Sequence, residues 1–115
     1  MKKYVVFLYI IFNLFKLFSS IEEDFLVAVA SGNIQEVKRL INSRVDINTR
    51  DKDGQTPLIL ATYKGYKEIV IILIKNGANV NIKDKNGWTA LTYALAKKHN
   101  EIVFLLKARE LNKKE

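Results

Sequence analysis

Cysteine is absent from the 115 residues, and histidine and proline occur once each. Without a thiol there is no disulfide, no thiolate nucleophile, no cysteine-type zinc site and no lipid-modified N-terminal cysteine. His99, the lone histidine, cannot build a histidine cluster. A serine, histidine and aspartate set, a metal-ligand spacing and a glycine loop shaped for phosphate are also missing. No metal, no cofactor and no enzymatic activity are therefore expected. Charge excludes less than it first suggests: 19 basic residues stand against 12 acidic ones. Lys2, Lys3 and Lys16 belong to an apolar leader, and no basic block exceeds a lysine pair such as Lys113-Lys114. The excess reads as a solvated surface, and nucleic acid is not an expected partner.

What is present begins with that leader, MKKYVVFLYIIFNLFKLFSS. Two lysines precede an apolar run from Tyr4 to Phe12, and the stretch closes on Ser19-Ser20 after Asn13 and Lys16 interrupt it. Basic, then apolar, then small is the order of a secretory signal peptide. A bilayer crossing takes about 20 apolar residues, and residues 4–18 supply fewer. Bulky Phe18 weakens a cleavage site after Ser20, so an uncleaved anchor with membrane contact through residues 4–18 stands as the alternative. A first helix buried in the fold fits poorly, because the run has no polar face.

Beyond Ser20 the texture changes. DKDGQTPLILA at residues 51–61 returns as DKNGWTALTYA at residues 84–94, 33 residues later. Over residues 51–76 and 84–109 the shift yields 11 identities in 26 positions, too many for chance. It also carries backward, from Ala61 to Ala28, Gly65 to Gly32, Val70 to Val37 and Leu73 to Leu40. A period of this size signals a stacked-repeat solenoid of one partial and two further units. Within a unit, Thr56-Pro57 reads as a helix start, since the hydroxyl accepts from an early backbone N–H and proline needs no donor there. The helix runs through Tyr63 and ends at Gly65. A second, Lys67 to Lys75, ends at Asn76-Gly77. A polar stretch with an Asn86-Gly87 turn signal leads onward.

These units resemble the ankyrin repeat. Its T-P-L-H signature stands as Thr56-Pro57-Leu58-Ile59 and, degraded, as Thr89-Ala90-Leu91-Thr92. Its G-H-x-E-V-V-x-x-L-L opening is matched by GYKEIVIILI, KHNEIVFLLK and, more loosely, GNIQEVKRLI. Gly77-Ala78-Asn79-Val80-Asn81 follows the G-A-D-V-N that closes a repeat, with RVDIN at Arg44 to Asn48 a weaker copy. The signature histidine is missing from both full units, and Ala90 replaces the proline. The resemblance implies an all-α helix-turn-helix solenoid with extended, β-hairpin-like loops. Residues 1–20 form the leader and residues 21–115 the repeat domain, with repeats at about 21–50, 51–83 and 84–111. His99 falls on the family's structural histidine.

The apolar residues of such an array are consumed by stacking. Asp51 and Asp84 sit beside turn glycines, where an aspartate bonds backbone. The resemblance implies a non-catalytic module that presents loop tips and first helices to another protein. In that pattern the candidate contacts are Lys52, Asp53, Gln55, Tyr63, Lys64, Lys85, Asn86, Trp88 and Lys97, none of them needed for the stack. Trp88 is the expected anchor, because large aromatics commonly anchor interfaces. The alternative for Trp88 is a ring folded over its own hairpin. The four lysines imply an acidic partner surface with an apolar notch. The molecule is expected as a single copy. A second candidate surface is a convex patch of Ile71 and Phe104, through which a membrane-associated accessory protein would act. The leader directs the chain across a membrane, to a secreted, periplasmic or envelope location. We expect export to remove it near Ser19 or Ser20. N-terminal sequencing of protein recovered outside the cytoplasm checks this, and an intact Met1 on a membrane-bound chain would mean an anchor instead.

Overall fold

The computed structural model describes residues 2–17 and 20–114. Seven helices and no strand are found among them: α1 (Lys2–Leu17), α2 (Ile21–Ala30), α3 (Ile34–Asn42), α4 (Pro57–Lys64), α5 (Lys67–Lys75), α6 (Ala90–Lys97) and α7 (Asn100–Lys114). Helices α2 to α7 form three antiparallel pairs. First helices α2, α4 and α6 pack in a row, and second helices α3, α5 and α7 form a parallel row. The expected all-α solenoid is what the chain builds. The loops between pairs are hydrogen-bonded turns rather than paired strands.

Local chemistry accounts for the helix ends. Ser20 accepts from the Glu23 N–H at 3.1 Å, Asn33 from Glu36 at 3.2 Å, and Thr56 from Ile59 at 3.2 Å. Thr89 and Thr92 cap one another reciprocally. Glu22, Glu23 and Asp24 lie in the first turn of α2, where negative charge meets the positive end of the helix dipole. The expected bounds of the second helix in the middle unit, Lys67 to Lys75, are those of α5.

Packing follows the 33-residue period. Ala28, Ala61 and Ala94 are all buried and let the first helices approach closely. Leu40, Leu73 and Leu106 fill the middle of each pair, and Phe25 and Leu58 fill the junctions. All belong to one continuous core. None of the described side chains of helix α1 belongs to it. Every described side chain from Lys2 to Leu14 is exposed, including Phe7, Tyr9 and Phe12. Among the described residues no helix is long and apolar enough to cross a membrane. Of the expected cleavage region near Ser19 or Ser20, Ser19 lies outside the described residues, and Ser20 is the N-cap of α2.

One contact ties each pair to the next. Gly65 has a left-handed backbone, with φ +75°, and the His99 ring lies so near that a Cβ there would come within 2.9 Å of it. One repeat earlier, Gly32 takes the ring of Tyr66 in the same way, at 3.1 Å. Each glycine thus meets two demands, a conformation that disfavours side chains and a seat for the following unit's ring. Gly77 shares the conformation, at φ +88°, but nothing lies within 4 Å of where its Cβ would be. Alanine at either position should carry the strain of a left-handed residue, about 1–2 kcal/mol. Only at Gly65 must it also displace a ring, so Gly65→Ala is expected to lose clearly more stability than Gly77→Ala. Urea denaturation of both variants measures the difference, and equal losses would show that the ring yields without cost.

Candidate functional site

The loop tips are built around aspartates. Asp51 Oδ1 accepts from the N–H groups of Asp53 and Gln55, each at 2.9 Å. Asp84 Oδ1 accepts from Asn86 at 2.9 Å and Trp88 at 3.0 Å. Successive tips are tied together. The Lys85 N–H donates to the Asp53 carbonyl at 3.1 Å. Arg50 reaches across one full period to donate to the Lys83 carbonyl at 2.5 Å, and the Asn79 N–H donates to Asn48 Oδ1 at 2.8 Å. The backbones of Asp53, Gln55 and Lys85 therefore do serve the scaffold, contrary to the expectation for that set. The side chains of Asp53 and Lys85 remain exposed.

The second tip differs from the first in one residue that sequence reasoning missed. Tyr93, in the place of Leu60 one repeat earlier, donates its hydroxyl to Asp84 Oδ2. Both residues are buried. Burial pushes the Asp84 carboxyl upward, but hydrogen bonds from Tyr93, Trp88, Asn86 and Gln55 outweigh it and hold the group below its ordinary 3.8. The bond to Asp84, aided by burial, raises the Tyr93 phenol above its ordinary 10.0. Two signals for Tyr93 were present: the change from leucine in the repeat register, and a hydroxyl one helix away from a turn aspartate.

Around Tyr93 gather three of the candidates. The Trp88 ring lies against it, centroids 4.9 Å apart and tilted, and Tyr63 meets it edge-on at 5.8 Å. The Lys97 ammonium stands 4.3 Å from the centre of the Tyr63 ring, a cation–π geometry. Trp88 thus leans on its own hairpin and helix while 39% of its surface stays open, and Tyr63 keeps 44%. Lys85 and Asn86 are exposed on the same tip, and Lys64 is exposed at the end of α4. Lys52 is set apart, lining a hollow of about 490 Å³ with Glu22, Glu23 and Arg50.

On the second-helix side the expected patch is smaller than drawn. Phe104 is 72% exposed, but Ile71 is half-buried, as suits an inner unit flanked on both sides. Phe104 instead borders a hollow of about 360 Å³ with Lys67, Asn100, Glu101 and Leu105. Among the described residues no group of three histidine, aspartate or glutamate side chains is placed to hold a metal ion.

Helix pairs stacked through a shared apolar seam, with linked loop tips along one side, define a repeat solenoid. Residues 25–115 match the family of ankyrin repeats in three copies, and the chain belongs to that family. Over 42 residues it is 48% identical to protein phosphatase 1 regulatory subunit 27 of Mus musculus, which covers 36% of this chain. The chain spans about a quarter of that relative's length, 27%.

The buried pair gives the site a pH signature. Because Asp84 titrates lower in the folded chain than in the unfolded one, its stabilisation is fully present above about pH 4 and is lost as pH falls through the folded value. Tyr93→Phe removes one of the bonds responsible, leaving a buried carboxylate less satisfied, and should cost about 1–3 kcal/mol at neutral pH. Below pH 4 the gap between wild type and Tyr93→Phe should narrow. Chemical denaturation across pH 3–7 checks this, and a constant gap would mean that the hydroxyl acts through packing alone.

Proposed function

We propose that this ankyrin array binds a partner protein through the surface centred on Trp88 and Tyr63, without catalysing a reaction. The observation that carries the reading is the state of those two rings. Both pack on a buried tyrosine and yet keep about two-fifths of their surface open. A ring held in place before binding loses little conformational freedom on contact, and such aromatics make the strongest interface anchors. Lys97 stands over the Tyr63 ring, and Lys64 and Lys85 are exposed within three residues of a ring in sequence, so the partner surface is acidic with an apolar notch, and association weakens as salt rises. The mouse relative is named as a regulatory subunit, which accords with acting by binding. The chain is exported across a membrane on its leader. The exposed apolar length of α1 supports that reading, since such a surface is suited to a membrane or to removal.

The test is Trp88→Ala combined with Tyr63→Ala, assayed by calorimetry against the partner that the wild-type chain captures from its source extract. Affinity should fall at least tenfold, about 1.4 kcal/mol, with helical content by circular dichroism unchanged. Unaltered binding, or loss of the helices, would assign both rings to the scaffold and overturn the proposal.

A further inference from the structure

The two ends of the stack differ from its inner junctions at positions that recur every 33 residues. Toward the following unit, the first two pairs present Val29 and Thr62, Val37 and Val70, all fully buried, with Ile41 and Ile74 packed on the core. The third unit places Leu95, Val103 and Lys107 there. Leu95 is 54% exposed and Lys107 lies on the surface. Toward the preceding unit, α5 and α7 present buried Ile69 and Ile102. The first unit has Glu36 instead, paired with Arg39 at 2.6 Å. The ring seats obey the same rule. Where Gly32 and Gly65 receive rings, the third unit has Lys98, a non-glycine at φ +58°. Where Tyr66 and His99 supply rings, the first unit has Asn33.

Each departure at one end has its counterpart at the other. A lysine replaces the isoleucines on the C-terminal face, and a glutamate replaces the isoleucines that share their junctions on the N-terminal face. The Lys98 side chain closes the ring seat, and Asn33 brings no ring to fill it. Leu95 keeps an apolar place open, and Leu26, equivalent to buried Ile59, is half-buried on the opposite face. We propose that the C-terminal face of one copy stacks on the N-terminal face of a second copy, carrying the helix-pair stack from chain to chain with Lys107 against Glu36. The single copy expected from the sequence then holds only at low concentration. Because the two faces are unlike, the contact does not close on itself, and copies add in a row.

Sedimentation velocity of the full chain, over a range of concentrations and in a mild detergent that keeps α1 in solution, reads this directly. Wild type should associate with rising concentration, and less so at high salt. Lys107→Glu and Glu36→Lys should each weaken association at least tenfold, with unchanged helical content, since neither side chain is in the core. The double variant restores an opposite pair at every contact and should recover association. A single species at every concentration would overturn the proposal, as would association indifferent to these charges, which would point to α1. Failure of the double variant to recover would overturn it too.

Discussion

Everything in this chain depends on burying the apolar side of one helix pair against the next. A pair such as α4 and α5 cannot cover Leu58, Ile59, Ile69 and Val70 by itself, because two short helices leave one broad face open. The neighbours complete the core, and the 33-residue period sets where they do so. Small alanines bring the first helices together, and a ring seated over a left-handed glycine fixes the offset between successive turns. That seating has a cost. In the first unit the residue before the second helix is Asn33, whose side chain caps α3. In the middle unit it is Tyr66, which makes no cap bond. The chain forgoes about 1 kcal/mol of capping where the ring can reach a neighbour, and keeps it where there is none.

With stacking assigned to the seam, the loop tips are free to vary. Asp51 and Asp84 shape two tips with the same backbone bonds, yet only the second grows an aromatic cluster. The difference comes from two substitutions in repeat register, Gln55 to Trp88 and Leu60 to Tyr93. The ties between tips make them a continuous strip rather than separate fingers, so a partner would meet a surface already in shape.

Much of this was legible in the sequence because it rests on local rules. Thr56-Pro57, Gly65 and Asn76-Gly77 mark helix ends through capping and backbone preference, and the bounds of α5 follow from them. Repeat arithmetic located the seam. What escaped reading depends on distances that the register alone does not set. Trp88, expected as an anchor or as a ring folded over its own hairpin, leans on Tyr93 and stays two-fifths open, because α6 turns the Tyr93 ring back toward its own loop. Ile71, expected in a convex patch with Phe104, is half-buried. Its exposure is decided by the units on either side. Asp53 and Lys85, not expected to serve the stack, contribute through backbone atoms, which residue type does not reveal.

Among the described helices, α4 and α5 alone have a neighbouring pair on both sides. The outer pairs each complete one junction, and the middle pair completes two. Removing either outer pair would take away one of the two junctions that bury α4 and α5 and expose a face of the middle pair. Three units linked in this way gain or lose their structure as one body. A chain that begins to fold at its first unit therefore gains little until the third has arrived to close the second junction.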